Sequence, residues 1–202
     1  MTQIGEIALV IALLIAVYSG IAIIIGARRG RAELMTSGRW GILVVCGLVT
    51  IASAALWYAF LTRDFQVSYV YQYSSRSLST FYTISAFWAG QSGSLLLWAW
   101  TLAIFAAVVV FQTRKRNADL APYALLVIVA TEVFFLWMLN FSSQPFIRSV
   151  AIPPDGNGLN PLLTNPGMFF HPTTLYVGYV GFTVPFAFCI AALITGKLGD
   201  QW

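Results

Sequence analysis

The chain has 202 residues, 59% of them hydrophobic and only 9% charged, with a formal net charge of +4. Soluble domains carry roughly 25% charged residues, so this composition excludes a soluble globular domain and implies an integral membrane protein. The basic residues cluster at the ends of apolar runs, where they set orientation and give no reason to expect nucleic acid as a partner.

A spanning helix needs about 20 apolar residues. Five segments qualify, so the expected fold is all-α, a polytopic single membrane domain over residues 1–202. The first span runs from about Gly5 to Gly26 and ends in Arg28, Arg29 and Arg31. No basic residue precedes it, unlike a signal peptide, and it is expected to stay as a membrane span. The second runs from about Trp40 to Leu61. A polar loop of about 62–93 follows, whose aromatic stretch Phe81–Trp88 is too short to cross. That stretch is expected to lie in the interface as an amphipathic helix, with Gly90 and Gly93 breaking the chain after it.

The third span runs from about Gly93 to Gln112 and is followed by Arg114, Lys115 and Arg116. The fourth, about Leu120 to Phe141, contains Glu132. A second long loop, about 142–172, holds six of the eight prolines and enough apolar residues to argue against disorder. The fifth span runs from about Thr173 to Thr195, with Lys197 beyond it. With the N-terminus outside, eight basic residues fall inside and three outside, the arrangement the positive-inside rule favours. Both long loops then face outside.

His171 is the only histidine. It sits where the second long loop meets the fifth span. Read alone, it is either an interfacial hydrogen-bonding residue or an axial ligand to haem iron. Met168 is a conceivable second ligand, but one on another polypeptide fits better. Glu132 is either a helix–helix contact or a proton site, because an ionisable residue inside a span is costly. The aromatic residues of the outer end, Trp88, Trp98, Phe170 and Tyr176 among them, form either an ordinary interfacial belt or a platform for a porphyrin or quinone. Cys46 and Cys189 lack metal-ligand spacing and read as small core residues. No nucleophile elbow, Walker loop or dinucleotide fingerprint is present.

Several motifs resemble the CcmF family, the large membrane subunit of the bacterial cytochrome c haem lyase, within the superfamily that includes CcmC and CcsA. They are Asp64-Phe-Gln-Val-Ser-Tyr-Val70, Phe87-Trp-Ala-Gly-Gln-Ser-Gly-Ser-Leu-Leu-Leu-Trp98, Asn160-Pro-Leu-Leu163 and His171-Pro-x-x-Leu-Tyr-x-Gly-Tyr-Val-Gly-Phe182. The resemblance runs through the whole chain in order. It implies cytochrome c maturation, with haem presented at the outer face of the bacterial inner membrane for attachment to apocytochrome c. It implies haem as cofactor, His171 as an axial ligand, and Trp88, Trp98, Phe170 and Tyr176 as haem-edge or packing residues. The partners implied are a haem chaperone, apocytochrome c and other haem lyase subunits.

The chain departs from the family pattern in carrying Gln91-Ser92 where many members have His-Glu, and Ser143-Gln-Pro-Phe146 in place of Ser-Asn-Pro-Phe. The family's tryptophan-rich haem platform and its further histidines lie beyond the matched region. The resemblance therefore implies an N-terminal portion, with a second polypeptide supplying the rest and no catalysis by this portion alone. Two other readings stay open: a structural scaffold subunit of the same complex, and a quinone- or proton-handling membrane subunit.

Overall fold

A computed structural model describes residues 2–113, 119–197 and 199. Among them there is no strand, and five apolar helical stretches are long enough to cross a membrane. α1 (Thr2–Arg29) and α2 (Ala32–Leu61) form an antiparallel pair. They approach closely because Gly38 and Gly41 on α2 leave no side chain between the backbone and Ile23 or Ser19 of α1. α5 (Gln91–Gln112) and α6 (Ala121–Phe141) complete a ring in which α1 packs on α2 and α6, and α5 on α2 and α6. Backbone bonds are satisfied inside each helix, as a hydrocarbon surrounding requires.

The fifth span differs from the sequence expectation. It begins at Pro166 rather than Thr173 and is split into α7 (Pro166–Gly181) and α8 (Thr183–Thr195). Its start is set by Asn165, whose side-chain oxygen accepts from the Met168 amide at 3.2 Å, with Pro166 in the first helical position. The break at Phe182 precedes Pro185, which has no amide to continue the ladder. α7 packs on α5, and α8 on α6, outside the four-helix ring. Only 22% of the most apolar window of this span is buried, against 44% in each of the other four, so most of its surface is uncovered by the described residues.

The two long connections interlock over one end of the bundle. α3 (Ser68–Tyr73) and α4 (Thr80–Ser85) lie in the first. The Ser68 amide donates to the Ile147 carbonyl and the Ser149 amide to the Gln66 carbonyl, both at 2.8 Å. Further along, the Asn157 amide meets the Tyr71 carbonyl and the Gly158 amide the Ser74 carbonyl. The expected interfacial helix over Phe81–Trp88 is instead α4 plus a 3-10 turn, Ala86–Trp88, folded into the bundle. Phe87 is fully buried, its ring 4.5 Å from that of Trp57, and only Phe81 of its aromatic residues is exposed. Burying its apolar side chains against α2 and α5 outweighs exposing them at the interface.

Asp155 ties the connections electrostatically. Its carboxylate accepts the Arg76 amide at 2.8 Å and the Gly156 amide at 2.7 Å, and these bonds hold its pKa below the ordinary 3.8. A carboxyl depressed by folding contributes above its unfolded pKa and loses that contribution as pH falls through the folded value. Amide exchange over residues 74–78 is therefore expected to be steady at neutral pH and to accelerate only in acid below about 3.8, beyond the intrinsic pH dependence of exchange. In Asp155→Asn the exchange is expected to be faster at neutral pH and to lose that acid step.

Candidate functional site

The site is built around the start of α5. Tyr69, buried on α3, reaches across to this turn: its hydroxyl donates to the Phe87 carbonyl at 3.0 Å, with the Gly90 carbonyl at 3.2 Å, and accepts the Gly90 amide at 2.9 Å. Burial pushes the phenol pKa well above its usual value, so it stays a neutral donor. The turn can wrap this hydroxyl only because residue 93 is glycine; a methyl there would run into the Phe87 carbonyl and the Tyr69 hydroxyl. In the sequence Gly90 and Gly93 read as chain breakers, and Tyr69 reads as one of the outer aromatic residues, inside the Asp64–Val70 motif. Its bond to this turn has no local signal, because its partners lie about twenty residues away.

This turn holds α7. The Trp88 indole N–H donates to the Met168 carbonyl at 2.9 Å, and the Trp88 ring meets Phe169 edge-on at 5.6 Å. The Tyr176 hydroxyl donates to Ser94 Oγ at 3.1 Å, and Ser94 Oγ donates to the Trp88 carbonyl at 3.0 Å. Trp98 packs edge-on against both Tyr176 and Phe135. Trp88, Trp98 and Tyr176 therefore gather on the bundle side of α7, fixing it to α5.

His171 and Phe170 are placed on the other side. Both are exposed, Phe170 at 63%. His171 lies inside α7, not at a loop end. At 3.6 residues per turn it shares a stripe with Leu175, Gly178 and Phe182, all exposed. A methyl added at Gly178, about two turns along the stripe, would touch nothing within 4 Å, so the stripe is open there as well. Met168 is partly buried against the core.

A flat porphyrin asks for one axial nitrogen and an apolar face beside it, and this stripe supplies both from one helix. Were a haem to sit here, His171 would offer its iron one imidazole nitrogen. Among the described residues no group of three or more His, Cys, Asp or Glu is placed to hold a metal ion. Gln91 and Ser92 lie in the first turn of α5, Gln91 exposed.

Glu132 is remote from this face. It sits halfway along α6, 3% exposed, and neither carboxyl oxygen has a partner among the described residues. The cavity beside it, walled by Ala16, Ile42, Val45, Ala103 and Ala106, is about 10 Å³. That is room for one water at most, not for a quinone ring. The cysteines are not core residues: Cys46 is half-buried and Cys189 exposed. Arg114, Lys115 and Arg116, which weigh in the orientation count, lie outside the described residues.

A family model described as cytochrome C assembly protein matches residues 88–199, a stretch that includes Trp88, His171 and Tyr176. The cytochrome c-type biogenesis protein CcmF of Haemophilus influenzae is 38% identical over 201 residues, covering 99% of this chain and 31% of that protein. CcmF of Escherichia coli is 38% identical over 207 residues, covering 100% of this chain and 31% of that protein. The biogenesis protein CycK of Rhizobium meliloti is 37% identical, covering 99% and 30%. A solved structure, cytochrome c heme lyase CcmF, superposes with a TM-score of 0.84 at 21% identity, over 99% of this chain and 31% of that one. The chain thus spans about a third of the length of the curated relatives it matches.

Proposed function

The chain belongs to the cytochrome c assembly protein family, in its CcmF branch, and from that premise we propose that it serves cytochrome c maturation by presenting haem as cargo for attachment to apocytochrome c. His171 is the axial ligand it offers. The observation that carries this reading is the placement of the only histidine on the one open face of the fifth span, with that helix secured from behind by Trp88, Trp98 and Tyr176. The protein's part is positioning and tuning of the iron through its ligand.

The proposed setting is the bacterial inner membrane, with the N-terminus and the His171 turn on the periplasmic side, as the basic residues suggest. One imidazole fills one axial position. The second ligand, and the rest of the haem platform, come from residues beyond the described stretch that cover the open face of α7 and α8. A haem chaperone, apocytochrome c and other haem lyase subunits are the remaining partners.

Purification of the chain from native membranes in mild detergent, with companions identified by mass spectrometry, tests this. Bound haem, in a preparation that also carries further histidines and a tryptophan-rich stretch, is the expected result. Recovery of the chain alone and without haem would leave the scaffold reading in its place.

A further inference from the structure

α7 carries a proline in its interior, at Pro172, directly after His171. A proline has no amide to donate four residues back, and its ring pushes that carbonyl out of the ladder. Four residues back from Pro172 is Met168. The Met168 carbonyl is the one that the Trp88 indole N–H takes at 2.9 Å. The bond that the helix cannot make is thus made from 80 residues away, by a donor in a buried side chain. The same turn is tightened by two hydroxyls: Thr173 Oγ1 donates to the Phe169 and Phe170 carbonyls, both at 3.0 Å, and Thr174 Oγ1 to the Phe170 carbonyl at 2.7 Å. His171 lies within this turn.

We infer that Trp88 and Pro172 work as a pair: Pro172 frees the Met168 carbonyl, the Trp88 indole captures it, and the capture fixes the turn that aims His171 outward. Trp88 is then a positioning residue, not a surface over which haem lies. The inference rests on the reading of His171 as a haem ligand. It gives the Phe-Trp and His-Pro motifs one shared task. A proline at this place without the tryptophan would leave a part-buried carbonyl unpaired; a tryptophan without the proline would compete with an ordinary helix bond.

The pairing makes a double substitution informative. In Trp88→Phe the ring stays and the donor goes. In Pro172→Ala the helix regains its own amide for the Met168 carbonyl. The four chains to compare, each in the complete haem lyase complex, are wild type, W88F, P172A and W88F/P172A, with H171A as reference. Two readouts are used: haem affinity followed by absorption, and amide exchange over residues 166–174 in haem-free complex, with exchange over α5 as the control for folding.

In W88F, haem affinity is expected to fall roughly tenfold, the scale of losing a group that orients a metal ligand, and exchange over 166–174 to rise while α5 is unchanged. In W88F/P172A both are expected to return to the P172A level. The inference is overturned if the double variant is as impaired as W88F, which would make Trp88 a packing residue only, or if W88F matches wild type while H171A loses haem. Unchanged haem binding in H171A would instead remove the ligand reading itself.

Discussion

Replacement of His171 by alanine is expected to lower haem affinity and cytochrome c maturation more than tenfold while leaving the protein folded. The exposure of the side chain decides the second half. An exposed residue with no partner in the core changes stability by less than about 0.5 kcal/mol when truncated, so the apparent Tm and the amount of protein in the membrane stay at the wild-type level. The first half follows from coordination. Groups that merely orient a ligand are worth about 10–100-fold in metal affinity, and His171 is proposed to be the ligand itself. Absorption titration with haem and the yield of covalent cytochrome c check the two parts together. Normal maturation in His171→Ala would favour a scaffold role for the chain.

A loss of stability is expected instead for Gly93→Ala, which adds one methyl inside the turn at the start of α5. The new carbon would strike the Phe87 carbonyl and the Tyr69 hydroxyl at once. Neither is the free end of a flexible side chain, since Tyr69 is buried and bound on both sides of the turn. Overpacking a tight core costs about 1–3 kcal/mol, and a broken buried hydrogen bond adds about 1 kcal/mol. A total near 3 kcal/mol corresponds to a fall in apparent Tm of roughly 10 °C for a chain of this size. Gly178→Ala is the control, because its methyl would meet open space; it is expected to shift the Tm by no more than about a degree. A thermal melt of the purified proteins separates the two. Equal Tm values would mean that the α5 turn yields more easily than its contacts imply.

The four spans of the ring were legible because hydropathy alone demands them: each is a run of about twenty apolar residues with charges only at its ends, Glu132 excepted. The helices overrun the expected limits where hydropathy has no say. α1 and α2 continue through polar turns to Arg29 and from Ala32. The fifth span was misplaced for a specific reason. Pro172 reads locally as a helix stop, while the tryptophan N–H that lets the helix pass through it comes from Trp88. Asn165 followed by Pro166 carries the start signal that the structure uses.

The candidate site was legible as chemistry and not as geometry. A lone histidine beside conspicuous aromatic motifs points to the stretch of chain proposed as the site. Which aromatics face inward could not be read, because Trp88, Trp98 and Tyr176 owe their placement to partners on other helices. Glu132 shows the same limit. Its cost inside a span was evident from sequence, but the small size of the cavity beside it, which leaves no room for a quinone, required the packing of Ala16, Ala103 and Ala106 around it.

The central claim is that His171 supplies an axial ligand to haem iron. Resonance Raman and absorption spectra of the haem-loaded complex, wild type against His171→Met, test it most directly, because a thioether in place of the imidazole changes the iron's ligand field without removing the haem. The account predicts that the bands of a histidine-ligated haem give way to those of a methionine-ligated one. Identical spectra from the two proteins would contradict it.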